Sequence, residues 1–210
     1  MRYLISYKRL IWLLVFACFF WLMLRITIRY IPAQSDVSFL QIKQTEVIGV
    51  KGYLLVFYIH VYSAIFVLLA GFTQFNSHIL AKYPKIHRSL GYLYTGTVLV
   101  LAAPSGIFIG WFANGGLTAK ISFVLLGLLW FWFTIKSILL ILKRNVKGHQ
   151  SFMYRSFALA TSAITLRLWK VILVYLFHPA PIDVYQIIAW LGWIPNLLIA
   201  EWIIKNKTTQ

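Results

Sequence analysis

Five long apolar runs dominate the chain, at about Tyr53–Phe75, Ser89–Trp111, Ala119–Leu142, Phe152–Phe177 and Tyr185–Ile204, after a shorter first run at Leu10–Leu24. Crossing the hydrocarbon core of a bilayer as helix takes about 20 such residues. The later five reach that length, and the first does so once Tyr3, Leu4, Ile26 and Ile28 are added. A lipid-embedded segment must satisfy its backbone polar groups internally, so runs of this kind fold as helices. The expected class is therefore an all-α integral membrane protein. Its architecture would be a six-helix transmembrane bundle, with a four-helix-like core and a peripheral first helix. Lys8 and Arg9 precede the first run as they would in a secretory signal. The following "WLMLRITIRYIP" offers no small-residue cleavage site, so the sequence predicts a retained helix. The chain then divides into an N-terminal transmembrane helix (1–31), an extracytoplasmic loop (32–52) and a five-helix membrane domain (53–204).

Charge agrees with this class. Twenty Lys and Arg stand against four Asp and Glu, a formal +16. In a soluble chain that excess would point to nucleic acid. Here the cations flank apolar runs, which is the signature of membrane orientation, so no nucleic-acid partner is expected. With the N-terminus inside, the inner set holds Arg2, Lys8, Arg9, Lys82, Lys85, Arg88, Lys143, Arg144, Lys147, Lys205 and Lys207. The outer set holds Arg25, Arg29, Lys43, Lys51 and Lys120, diluted by Asp36, Glu46 and Asp183. The positive-inside rule then predicts a cell-membrane protein with both termini cytoplasmic. Cys18 is the only cysteine, so an intramolecular disulfide and a cysteine zinc site are both excluded; it reads as a small apolar packing residue.

Ionisable groups inside the spans carry the functional signal, because each costs about 2.5–3.5 kcal/mol to insert and tends to face a bundle interior or cavity. His60, near the start of the second helix, belongs to the outer third of the bilayer. Arg155 lies near the inner start of the fifth helix, and Arg167 is roughly 18 Å further along, at 1.5 Å per residue. Lys170 is nearer still to the outer surface, where it can snorkel. Glu201, near the inner end of the last helix, shares a level with Arg155 and is its expected polar partner. His87 and His149 start the third and fifth helices at the inner side, near Gln74, Asn76 and His78. Two polar layers follow: an inner one of His87, His149, Arg155 and Glu201, and an outer one of His60 and Arg167.

Two motifs, "PKIHRSLGYLY" (Pro84–Tyr94) and "GHQSFMYRSFALATSAITLRL" (Gly148–Leu168), resemble the signatures of the bacterial membrane-protein family catalogued as domain of unknown function 2306. "FYIHVYSAIFVLLAGFTQF" (Phe57–Phe75) resembles its first core segment and "WLGWIPNLLIAEW" (Trp190–Trp202) its last helix. The resemblance covers about residues 50–205 and implies no established activity. Its matching positions are His60, Gln74, His87, Arg88, Gly91, His149, Met153, Arg155, Ser156 and Arg167, with Gln150 standing where an Arg is expected.

More loosely, the layout is similar to the four-helix b-type cytochromes, an analogy at the level of the fold. That likeness implies haem b held by His60, His87 or His149, with Arg155 and Arg167 pairing with propionates. The leading expectation is thus haem-binding transmembrane electron transfer to or from a quinone. A second reading is a transporter or lipid-binding protein that recognises a small anionic ligand through Arg155 and Arg167. A third is a metal-dependent membrane enzyme with His87 and His149 as ligands. A fourth is purely structural. Whether the chain is an enzyme, and how many copies assemble, does not follow from the sequence.

Overall fold

The computed structural model describes residues 7–75, 77–178 and 180–208. The start of the N-terminal helix domain (1–6), Asn76 and the His78 side chain lie outside the described residues. Among the described residues there are helices and turns but no strand. Inner and outer denote the two ends of the bundle, the inner one carrying Lys143–Lys147 and Lys205–Lys207.

Helix α1 (Tyr7–Ile28) packs on α3 (Tyr53–Gln74). Between them the 32–52 segment is not an open loop. A 3₁₀ turn (Ser38–Lys43) and a short helix α2 (Gln44–Gly49) fold over the outer end, and Gly52, at φ +84°, releases the chain into α3. Short α4 (Ser77–Lys82) turns the chain into α5 (Pro84–Thr97), which continues through a π-helical segment (Val98–Ala102) into α6 (Ala103–Trp111). Gly115 and Gly116, both at positive φ, make the turn into α7 (Gly116–Leu142). Asn145 caps α8 (Val146–Ala160) by accepting from Gly148 N–H at 2.8 Å. Then come α9 (Ser162–Phe177), α10 (Pro181–Leu191) and α11 (Ile194–Thr208).

Four stretches are long and apolar enough to cross a membrane unbroken: Tyr53–Gln74, Pro84–Trp111, Gly116–Leu142 and Ile182–Lys207. The pair α8 and α9, bent by 42°, is long and apolar enough only when the two are taken together. The apolar part of α1, Leu13–Ile28, is shorter. The protein is an all-α membrane protein, and its fifth helix, expected as one rod over Phe152–Phe177, is broken at Thr161. The physical reason is local. Thr161 turns its hydroxyl onto the Ala158 carbonyl three residues earlier, at 2.8 Å, a pattern that bends helices without proline.

Packing follows the chain. Contacts run α3 to α5 and α6, α6 to α7, α7 to α8 and α10, and α8 to α11. The core joins Val67, Ala70, Tyr94, Val98, Ala102, Trp130, Leu159 and Trp193. Glycines permit the close approaches within it. A Cβ on Gly71 would lie 2.7 Å from the Phe157 ring and 2.8 Å from that of Tyr94. Large apolar side chains such as Leu55, Val100, Leu198 and Trp202 face outward, as lipid contact requires. Cys18, read from sequence as a packing residue, is exposed on α1.

Lys43 departs furthest from its expected role as a free outer cation. It is 1% exposed, and its ammonium donates to Glu46 Oε1 at 2.7 Å and to the carbonyl of Phe112 at the end of α6. The 32–52 segment is thereby tied down over the outer end of the bundle.

Candidate functional site

The outer polar layer is built on a defect in the third crossing. Pro104 has no N–H, so the ladder bond normally made to the residue four earlier is missing. The chain widens into the π-segment just before it, and Ala103 N–H bonds to Val98 O, five residues back. His60 of α3 sits on this irregularity. Its Nδ1 is 3.1 Å from the Ala102 carbonyl and 3.3 Å from Ser105 Oγ. A carbonyl only accepts and the Ser105 hydroxyl donates to Leu101 O at 2.5 Å, so Nδ1 carries the proton. Gly106 makes the room, since a Cβ there would come 3.0 Å from His60 Cε1. Among the described residues Nε2 makes no hydrogen bond, and it is not among the fully enclosed polar atoms.

Arg167 of α9 lies within electrostatic range of His60 and of Tyr30, at the end of α1. Its Nη1 donates to Ala163 O on its own helix at 2.5 Å. Among the described residues no carboxylate lies within ion-pair distance of it, and its remaining guanidinium donors have no protein acceptor. Helix α9 packs on α10 and briefly on α8, has no buried residue, and makes no extended contact with α3 or α6. His60 and Arg167, both partly exposed, are thus within electrostatic range of each other although their helices do not pack closely. Lys170 is exposed on the same helix.

The inner layer divides in two. Arg155 donates to Glu201 twice, Nε to Oε1 at 2.5 Å and Nη2 to Oε2 at 2.8 Å, and lies over the Phe152 ring. That guanidinium is neutralised by its partner. His87 and His149 are within electrostatic range of each other. His149 Nδ1 donates to the Ser137 carbonyl at 3.0 Å, whereas His87 Nδ1 is enclosed without a partner. Among the described residues no group of three or more His, Cys, Asp or Glu converges as a metal site would require. Gln74 lies over Gly91, its Oε1 3.0 Å from where a Cβ would stand, and Arg88 is exposed.

Two constellations escaped the sequence reading. Between the layers, Tyr94 and Ser156 hydroxyls are 2.8 Å apart, Ser156 and Thr134 hydroxyls 2.7 Å, and Thr134 donates to Trp130 O. This row links α5, α8 and α7, and all three side chains are fully buried. The spacing of Thr134 and Ser137, three apart on one face of α7, was the available signal. The second is Asn196 on α11. Its amide nitrogen lies 2.9 Å from Thr165 Oγ1 and 3.2 Å from each of Thr161 Oγ1, Ala158 O and Gly192 O. It therefore touches both helix breaks, the α8–α9 bend and the α10–α11 junction.

Two surface cavities are lined, among the described residues, without a histidine. One, of about 440 Å³, is lined by apolar residues of α7 with Trp111 and Lys120. The other, of about 110 Å³, lies between α8 and α11.

Compared with known proteins, the chain matches no curated protein and no solved structure. A family model described as "Predicted membrane protein (DUF2306)" matches residues 57–204, from α3 to α11, and so contains both polar layers. The chain belongs to this family of membrane proteins, domain of unknown function 2306.

Proposed function

We propose that the protein binds an amphipathic anion, with a carboxylate or phosphate head on an apolar body, beside Arg167 of α9 and His60 of α3. One observation carries the reading: among the described residues Arg167 has no carboxylate partner, and apart from Nη1, which donates to Ala163 O, its guanidinium donors meet no protein acceptor. An unpaired charge at this depth is costly, and an anionic head supplies the missing counter-charge. His60, held in the Nδ1–H form by Ala102, presents Nε2 as an acceptor for a hydroxyl on the same head. On this reading the apolar body stays in lipid while the head reaches Arg167. Arg155, grouped with Arg167 in the sequence reading, is withdrawn from this role by Glu201.

Haem is the poorer fit. His60 belongs to the outer layer and His87 and His149 to the inner one, with the packed core of Tyr94, Val98 and Ala102 between. The arginine expected to pair with an inner propionate is already held by Glu201. The two-histidine metal reading rests on His87 and His149 alone, without a third ligand among the described residues.

The test uses oleate and the uncharged oleyl alcohol as probes, with full-length protein in phosphatidylcholine nanodiscs. Wild-type protein is expected to prefer oleate. Arg167→Gln should remove at least tenfold of that preference, about 1.4 kcal/mol, while Arg167→Lys retains part of it. Equal preference in wild type and Arg167→Gln would refute the reading.

A further inference from the structure

The small cavity at the inner end raises a separate question, independent of the outer site. It is lined by Lys147, Gln150, Ser151, Tyr154, Ile204 and Lys207, from the first turns of α8 and the last turns of α11. At about 110 Å³ it is well below the roughly 300–1,000 Å³ of a small-molecule pocket. It has room for one compact polar group.

Its electrostatics are one-signed. Two lysines from different helices line it, and among the described residues no carboxylate does. The nearest acid along α11, Glu201, is engaged by Arg155. Lys207 is held by a neutral partner, donating to the Tyr154 hydroxyl with its ammonium 4.7 Å from that ring's centroid. Two of its three donors remain for a ligand. Lys147 has no ion-pair partner among the described residues. Gln150 and Ser151 add short polar side chains at the wall. Lys147, Gln150 and Ser151 fall in the first two turns of α8, whereas Ile204 and Lys207 fall in the last turns of α11, so the two helix ends offset each other and the lysines set the sign. A solvated lysine pair on a smooth surface would need no such pocket, and a pocket for a neutral group would not need two ammoniums.

We infer that this pocket binds a phosphate group, with Lys147 and Lys207 as its counter-charges and Ser151 and Tyr154 as hydrogen-bond partners. The phosphate is either the head of an anionic lipid or free phosphate. The position, between two transmembrane helices at the basic end of the bundle, is where lipid phosphates lie.

Native mass spectrometry of the full-length protein in neutral detergent provides the test, with dihexanoyl phosphatidate and inorganic phosphate as probes. Wild-type protein is expected to retain phosphatidate, and the pair Lys147→Gln with Lys207→Gln to bind it about tenfold more weakly. The control pair, Lys85→Gln with Lys143→Gln, removes the same charge outside the pocket and should stay within twofold of wild type. Thermal unfolding of each variant verifies folding. Phosphatidate binding that excess inorganic phosphate does not displace assigns the site to lipid; full displacement assigns it to the free anion. Equal loss in the control pair, or no loss in the pocket pair, overturns the site.

Discussion

Asn196→Leu is expected to destabilise the protein by about 2–3 kcal/mol, measured by reversible unfolding in mixed micelles. One amide nitrogen serves acceptors on both sides of two helix breaks: Ala158 O and Thr161 Oγ1 before the α8–α9 bend, Thr165 Oγ1 after it, and Gly192 O at the α10–α11 junction. Leucine matches the volume but supplies no donor, so the acceptors at the breaks lose a shared partner. Each unsatisfied buried group costs about 1–3 kcal/mol. Single interhelical bonds in membranes average about 0.6 kcal/mol. The expected figure lies above one such bond because several acceptors are affected together. Thr165→Val removes only the hydroxyl that donates to Gly192 O at 2.5 Å and should cost less, about 1 kcal/mol. If Asn196→Leu unfolds with wild-type stability, the breaks are held by packing alone.

Glu201→Gln should cost about 2–3 kcal/mol in the same measurement. Breaking a fully buried pair costs about 3–5 kcal/mol because one charge is stranded, whereas an exposed pair is worth about 0–1 kcal/mol. Here the Arg155 side chain is 20% exposed and that of Glu201 45%, so the value falls between those limits. The double variant Arg155→Gln with Glu201→Gln should recover more than half of the loss, since no unpaired charge then remains. Additive losses in that cycle would mean that the two side chains do not interact.

The spans were legible because membrane insertion selects for length and apolarity, and both survive in a bare sequence. Depth was legible too. Counting residues along antiparallel helices placed Glu201 level with Arg155 and His60 level with Arg167, and those are the groups found as neighbours. Counting along an axis could not show which way a side chain points around it. It therefore left Arg155 both as the expected partner of Glu201 and as a candidate anion ligand, and the bidentate pair favours the first. Nor could it reveal the break at Thr161, where a hydroxyl-to-carbonyl bond replaces the usual proline signal. The "AAPSG" stretch, Ala102–Gly106, did carry a signal for the outer site. A proline within an apolar run, followed closely by a glycine, marks both the widened backbone under His60 and the space for its ring. Lys43 was misread for a different reason. A lysine in a polar segment looks solvated unless the segment is known to fold over a helix end.

The account turns on the proposed anion site at His60 and Arg167, and photo-crosslinking tests it most directly. A fatty acid carrying a diazirine near its carboxylate would be activated on the full-length protein in nanodiscs, and the labelled peptides mapped. The adducts are expected on α3 near His60, on α6 around Ala103–Gly106, and on α9 near Arg167, with labelling at these places strongly reduced in Arg167→Gln. Adducts spread evenly over the lipid-facing helices, with the same pattern in Arg167→Gln, would contradict it.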